Sequence, residues 1–269
     1  MSATPGASVP TRPKYALIAM TRKISSAMTR CELTHLQRTP IDVALAREQH
    51  HAYEHELRAL GCRIETLPEE PELADSVFVE DTAIVLDEVA VITRPGAPSR
   101  RAETASIAAA LGKHRDLVGI ESPGTLDGGD VLRVGRTLYV GVSSRSSAGG
   151  IEQLGARVLP FGYRVRSVPV QGVLHLKSAV TQVGPDQLLI NSRCVAREHF
   201  PGMRFIEVDA AEPLGANALM LGSEVIYSRS YPRTAEALRQ QGIRLHTVAM
   251  SETEKAEGAV TCCSLICIV

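Results

Sequence analysis

The sequence predicts an α/β protein in which a strand–turn–strand segment followed by a helix recurs along the chain. The units repeat every 40–50 residues or so, a period typical of units stacked around an axis or along a solenoid. Asp81, Asp130, Lys177, Asn217 and Cys262 each lie near the start of a β-rich segment, at steps of 49, 47, 40 and 45 residues. If the units surround an axis, these residues converge on a central polar site. The alternative is that regular α/β alternation produces this spacing by chance.

The first segments alternate between strand and helix patterns. Residues 14–20 are apolar and predict a buried strand, and residues 62–67 alternate as a half-buried strand does. Between them, Thr39 and Pro40 predict a helix start and Gly61 a helix end.

The later segments follow the repeating plan. Predicted helices begin at Ser99 and end near Leu111, span roughly 150–154, and span about 233–241. The predicted strands are 76–86, 90–94, 128–134, 137–142, 178–183, 187–191, 216–221, 224–228 and 259–269.

Composition excludes several classes of protein. The chain has 269 residues, with 29 Lys and Arg against 30 Asp and Glu, a formal net charge of −1. This balance disfavours nucleic-acid binding by bulk electrostatics. No apolar run approaches the roughly 20 residues that span a bilayer, so we expect no membrane partner.

The chain ends and the cysteines suggest a location. Residues 1–14 are rich in Pro, Ser and Thr and lack the apolar core of a secretory signal, which predicts a flexible tail before a single domain at 15–269. The six cysteines show no framework spacing, which favours reduced thiols and a cytoplasmic protein.

A cysteine and a histidine could together provide nucleophilic catalysis. Cys262 and Cys263 are adjacent, and in a strand they point to opposite faces, so at most one faces a site. His175, between two leucines, is the side-chain type that serves a cysteine nucleophile as acid and base near neutral pH. Both kinds of residue are also common as structural core residues, and adjacent cysteines rarely bind one metal ion.

Charged residues lie within apolar segments. Glu80 and Asp81 follow three apolar residues, and Asp127 and Asp130 flank two glycines. Buried carboxylates need an ion pair, a metal or a cationic ligand, and a guanidinium suits a group of them.

Two arginines suggest recognition of an anion. Arg100 stands at a predicted helix start, where its charge opposes the macrodipole, and Arg145 follows a predicted strand. Binding of a small carboxylate would explain both positions, and solvated arginines are the alternative.

Six sequence motifs together resemble one enzyme family. VFVEDTAIV, ITRPGAPSRR, TLDGGDVL, LHLKS, GAN and GAVTCCS occur in the order found in dimethylarginine dimethylaminohydrolases. These enzymes belong to the pentein, or guanidine-modifying, superfamily, whose fold is a five-bladed α/β propeller. The resemblance covers residues 15–265 and implies that fold here.

The resemblance also implies a role for each matching residue. Cys262 is then the nucleophile, His175 the general acid and base, and Asp127 a group that grips the guanidinium near the histidine. The implied substrate contacts are Asp75, Glu80 and Asp81 along the site, Arg100 and Arg145 on the α-carboxylate, Met28 on a lid loop, and the carbonyl near Ala256. No cofactor or metal is required, although Cys262 could contact an inhibitory zinc ion.

The implied reaction is hydrolysis of Nω-methylated arginine to citrulline and a methylamine through an S-alkylthiouronium intermediate. A deiminase of arginine or a related guanidino compound is the first alternative, and a non-catalytic binding protein of the same fold is the second. The expected partner is a guanidino amino acid, and the expected assembly is a monomer or homodimer.

Overall fold

The computed structural model describes residues 17–269 as five sheets of three strands each. In every sheet the middle strand pairs antiparallel with one edge strand and parallel with the other. Strand order identifies a five-bladed α/β propeller, as expected. The predicted tail at 1–14 and the start of the first predicted strand lie outside the described residues.

The strands and helices have the following bounds. The sheets consist of β1 (Leu17–Arg22), β2 (Cys62–Leu67) and β15 (Leu265–Ile268); β3 (Ala83–Val85), β4 (Val89–Ile92) and β5 (Asp116–Gly119); β6 (Val131–Val134), β7 (Thr137–Val142) and β8 (Arg164–Pro169); β9 (Val180–Gly184), β10 (Gln187–Ile190) and β11 (Arg204–Glu207); and β12 (Ala218–Leu221), β13 (Glu224–Ser228) and β14 (Arg244–Val248). The α-helices are α1 (Val43–Ala59), α2 (Thr104–Leu111), α3 (Ala148–Val158), α4 (Pro232–Gln240) and α5 (Ser251–Glu254).

The C-terminus closes the ring of sheets. Strand β15 pairs with β1 from the opposite end of the chain, so the first sheet contains both ends of the described chain. One strand of each sheet, which we call its inner strand (β3, β6, β9, β12 and β15), contributes residues to one central channel. None of the helices in the described residues is long and apolar enough to cross a membrane.

A ring of hydrogen bonds joins the units around this axis. Asp81 accepts the Gly129 N–H at 2.9 Å, and the Asp130 Oδ1 accepts the Leu176 N–H at 3.0 Å. Each acceptor precedes the inner strand of its own unit, and each donor is the residue before the equivalent position of the next unit.

The remaining links complete the ring. The Asn217 amide donates to the Lys177 carbonyl at 3.1 Å and its Oδ1 accepts the Thr261 N–H at 3.0 Å. The Glu80 N–H donates to the Cys262 carbonyl at 3.1 Å. The five positions that recur in the sequence therefore do converge on the axis.

Several local predictions were wrong. Helix α1 begins at Val43, not at Pro40, because Asp42 caps it by accepting the Leu45 N–H at 3.0 Å. Residues 98–103 form a 3₁₀ helix before α2, and the Ser99 hydroxyl donates to Glu32 instead of capping. Helix α3 spans Ala148–Val158 and is longer than the predicted 150–154. It starts earlier because the Ser147 side chain caps it by accepting the Gly150 N–H.

The two chemically important segments are turns, not strands. Residues 79–82 form a 3₁₀ turn ahead of the short β3, and residues 259–264 turn before β15. The argument that adjacent cysteines point to opposite strand faces therefore does not apply to Cys262 and Cys263.

The outer strand of four sheets was missed. Strands β5, β8, β11 and β14 are largely exposed or half-buried. Their polar sequences lack the apolar alternation that reveals a half-buried strand.

Replacing Asn217 with Ala tests the ring. The change removes two buried hydrogen bonds, to the amide and hydroxyl of Thr261, and a part-buried one to the Lys177 carbonyl. We expect the free energy of unfolding to fall by ~2–4 kcal/mol in a urea titration. A fall of under ~0.5 kcal/mol, the range of ordinary surface changes, would show that the ring contributes little.

Candidate active site

A small cavity lies at one end of the ring, beside the turns that precede the inner strands. Seven of the ten residues predicted for the site line it: Asp75, Asp81, Arg100, Arg145, His175, Ala256 and Cys262. Of the others, Glu80 lines the central channel, where Lys177 and Thr261 bind its carboxylate.

Cys262 lies in a tight turn at the floor of the cavity. Its N–H donates to the Ala259 carbonyl at 3.1 Å, and only 8% of the residue is exposed. Burial, with the negative charges of Glu80 and Asp81 behind it, raises the pKa of this thiol well above its usual value. Cys263 has no exposed surface and lies in the core away from the cavity.

His175 is held between two carboxylates. Its Nε2 lies 3.1 Å from the Asp127 Oδ2, and its Nδ1 lies 3.8 Å from the Asp81 Oδ1. Burial alone would lower the pKa of the imidazole, but Asp81, the hydrogen bond to Asp127 and the charge of Asp130 raise it to about 9. The ring is therefore an imidazolium at neutral pH and can supply a proton.

Gly129 makes this arrangement possible. A Cβ at this position would lie 2.6 Å from both the His175 Nδ1 and the Asp81 Oδ1. Its N–H donates to Asp81, so the same residue fixes the carboxylate and leaves room for the ring.

Asp127 lies behind the histidine, not in the cavity. It has no exposed surface, and its Oδ1 accepts the Gly96 N–H at 2.8 Å while its Oδ2 lies against His175. The expected direct grip on a guanidinium stays a prediction, because Asp127 does not line the cavity in this structure. Its contact with His175 orients the imidazole.

Arg100 supports the site from within the protein. Its guanidinium donates to Asp81 at 2.5 Å, to both oxygens of Glu103 at 3.1 and 2.7 Å, and to the carbonyls of Asp75 and Phe78. Because protein groups take up its donors, Arg100 holds Asp81 in position and is poorly placed to bind the carboxylate of a substrate.

Arg145 is the freer of the two arginines. Its Nη2 donates to the Thr34 hydroxyl at 3.1 Å, and 9% of the residue is exposed at the cavity. Nearby, the Asp75 Oδ2 accepts the Glu32 N–H at 3.0 Å, and burial raises the pKa of this carboxyl.

Met28 was expected on a loop over the substrate, but the structure places it elsewhere. It is fully buried and packs in the core with Ile24 and Cys31. Met28 therefore packs in the core beneath the segment that follows it and does not line the cavity.

Asp130 organises the site without lining the cavity. Its Oδ1 accepts the N–H of Leu176, next to His175, and its Oδ2 accepts the hydroxyls of Ser143 and Ser146 at 2.6 Å each. The repeat spacing identified this position, but its links to Ser143 and Ser146, on either side of Arg145, could not be read from the sequence.

The sequence analysis missed Glu103, which binds the Arg100 guanidinium. Its i, i+3 spacing from Arg100 was the available signal.

Three side chains could present ligands to a cation. Among the described residues, Asp81, Asp127 and His175 place one ligand atom each within 4.8 Å of one another. Arg100, Gly96 and Gly129 already occupy the carboxylate oxygens, and the imidazole is held protonated. A protonated imidazole has no lone pair to offer a metal ion, so the set does not fit one in this state, and zinc contact by Cys262 stays a prediction.

The propeller and its cysteine–histidine–carboxylate site define the pentein class of guanidine-modifying proteins. The profile described as "N,N dimethylarginine dimethylhydrolase, eukaryotic" matches residues 16–199. The chain belongs to the dimethylarginine dimethylaminohydrolase family.

Individual relatives agree with this assignment. The chain is 44% identical to the N(G),N(G)-dimethylarginine dimethylaminohydrolase of Streptomyces coelicolor, over 92% of this chain and 95% of that protein. It is 37% identical to the Pseudomonas aeruginosa enzyme, over 83% of this chain and 89% of that one. A solved Pseudomonas aeruginosa structure, a cysteine-to-serine mutant with citrulline, has a TM-score of 0.90 at 33% identity, covering 94% of this chain and 99% of that one.

The pKa of His175 gives a test of the site's electrostatics. Because the folded pKa of about 9 exceeds the ordinary histidine value of 6.5, the charge on His175 stabilises the fold fully below pH 6.5. That contribution is lost as the pH rises through 9. An NMR titration, assigned with His175→Gln, should give a midpoint near pH 9, whereas a midpoint at or below 6.5 would contradict the charge arrangement.

Proposed function

We propose that the chain hydrolyses Nω-methylated L-arginine to L-citrulline and a methylamine, with Cys262 as nucleophile and His175 as general acid and base. One observation supports this above the others: the Cys262 thiol, the His175 imidazole and the Asp81 carboxylate line one small cavity. A guanidinium is the cation whose planar donors suit that carboxylate and whose carbon a sulfur can attack. Relatives and solved structures of the same family bear the corresponding enzyme name.

The first half of the reaction forms a covalent intermediate. The bound cation offsets the charges that raise the thiol pKa, so substrate favours the thiolate, and because His175 is already protonated the thiol proton leaves to solvent. The sulfur adds to the guanidinium carbon, and the bond from that carbon to the methylated nitrogen breaks. His175 protonates the departing amine, which leaves an S-alkylthiouronium on Cys262. A solved relative, a histidine-to-glycine variant carrying an adduct with S-methyl-L-thiocitrulline, supports covalent chemistry in this family.

The second half releases citrulline. His175, now neutral, takes a proton from water, and the resulting hydroxide adds to the thiouronium carbon. The carbon–sulfur bond breaks and the hydroxyl proton of the intermediate passes to the departing sulfur, so the ureido group forms and Cys262 returns to the neutral thiol. Asp127 holds the imidazole in one orientation through both proton transfers.

The amino-acid end of the substrate fits the opposite wall. Arg145 would bind the α-carboxylate, and Asp75 with the Ala256 carbonyl would receive the α-ammonium. Arg100 and Glu80 act on the other side, holding Asp81 and the Cys262 turn. We further propose that the enzyme needs no cofactor, acts as a monomer or homodimer, and works in the cytoplasm. The six free thiols support a reducing compartment.

Parallel citrulline assays test the reaction. Asymmetric dimethylarginine should yield citrulline and dimethylamine, plain arginine should yield much less, and Cys262→Ser should abolish both products. Faster citrulline release from arginine would assign the chain to the deiminases. No release from either substrate would contradict the proposal.

The two arginines should separate in kinetics. Arg145→Ala should raise KM by about tenfold for dimethylarginine, since a charge-assisted contact is lost, and have little effect on N,N-dimethylguanidine, which lacks a carboxylate. Arg100→Ala should impair turnover of both and lower the free energy of unfolding by ~3–5 kcal/mol, because it leaves Asp81 and Glu103 buried without their partner.

The adjacent Arg101→Ala is the matched control, because Arg101 donates to the Pro95 carbonyl and does not line the cavity. Equal effects of Arg145→Ala on both substrates would exclude its carboxylate role.

A further inference from the structure

One carboxylate fastens the segment 31–38 across the wall of the cavity. The Glu257 Oε2 accepts the Thr34 N–H at 3.0 Å, and its Oε1 accepts the N–H groups of His35 at 2.5 Å and Leu36 at 2.6 Å. Three consecutive backbone donors converge on one anion, as in the concave anion sites that successive amides form. Such charge-assisted bonds are stronger than those between neutral groups.

The backbone at Glu257 is held in an uncommon conformation. Its φ of 58° is the only positive value for a non-glycine among residues 17–269. A left-handed residue with a Cβ costs about 1–2 kcal/mol, and such residues concentrate at functional sites. On one side is the predicted substrate contact Ala256, and on the other is Gly258, where a Cβ would meet the Phe78 ring at 2.1 Å.

The fastened segment also contacts the residues that would bind the substrate's amino-acid end. The Glu32 N–H donates to Asp75, and the Thr34 hydroxyl accepts from Arg145. Displacement of this segment would therefore release Asp75 and Arg145 together.

We infer that Glu257 is a positioning residue whose carboxylate holds segment 31–38 in place and thereby sets Asp75 and Arg145 for the amino-acid end of the substrate. The expected effect on substrate binding rests on the proposed function, whereas the fastening of segment 31–38 does not. Since Glu257 acts away from the bond that breaks, its loss should weaken substrate binding more than the chemical step.

Two variants separate the side chain from the backbone. Glu257→Gln removes the charge and leaves the shape, while Glu257→Gly removes the carboxylate and accepts the left-handed backbone without strain. Glu212→Gln is the matched control, because the Glu212 carboxylate also accepts two backbone N–H groups, at Arg233 and Thr234, far from this segment in the sequence.

Hydrogen–deuterium exchange at the amides of residues 34–36 is the primary measurement. We expect exchange to speed up about tenfold or more in both Glu257 variants, the effect of losing roughly 1.4 kcal/mol of protection, and to be unchanged in Glu212→Gln. KM for asymmetric dimethylarginine should rise about tenfold, with kcat within about threefold of wild type.

The outcomes divide clearly. Unchanged exchange at residues 34–36 in both variants would overturn the fastening role, and faster exchange with unchanged KM would overturn the positioning role. The exchange measurement uses no substrate, so it stands even if the proposed hydrolase activity fails.

Discussion

The ring of hydrogen bonds between units is the constraint on which the site depends. At three of its five positions a side chain, Asp81, Asp130 or Asn217, accepts the backbone N–H that precedes the equivalent position of the next unit. At the fifth position the Cys262 carbonyl accepts the Glu80 N–H. The Cys262 side chain is thereby relieved of a structural role, and its sulfur is available at the cavity.

The same ring fixes the electrostatics of the site. Asp81 is both a ring member and the carboxylate beside His175, and Arg100 with Gly129 fixes its position from the protein side. Against the effect of burial, the carboxylates raise the pKa of the imidazole, while burial together with the charges of Glu80 and Asp81 raises the pKa of the Cys262 thiol. A bound cation would offset the charge part of this penalty on the thiolate.

The repeat and the key residues could be predicted from the sequence, while much of their environment could not. The fivefold spacing located Asp81, Asp130, Lys177, Asn217 and Cys262 because each stands before an apolar inner strand. The outer strands β5, β8, β11 and β14 escaped notice, since exposed edges carry no apolar alternation. Turns at 79–82 and 259–264 looked like strands, because local composition does not show that their N–H groups bond across the axis.

Roles that depend on distant contacts were the hardest to foresee. Asp127 resembles a substrate contact by motif, but its oxygens meet Gly96 and His175. Glu257 lies more than 200 residues from the amides it binds, and nothing in its own surroundings predicts that partner.

The most direct test of the account is intact and peptide mass spectrometry of enzyme quenched during turnover of asymmetric dimethylarginine. The account predicts an adduct with the mass of the substrate less dimethylamine, mapped to Cys262. An adduct on Cys263, or turnover with no adduct on any cysteine, would contradict the assignment of Cys262 as the nucleophile.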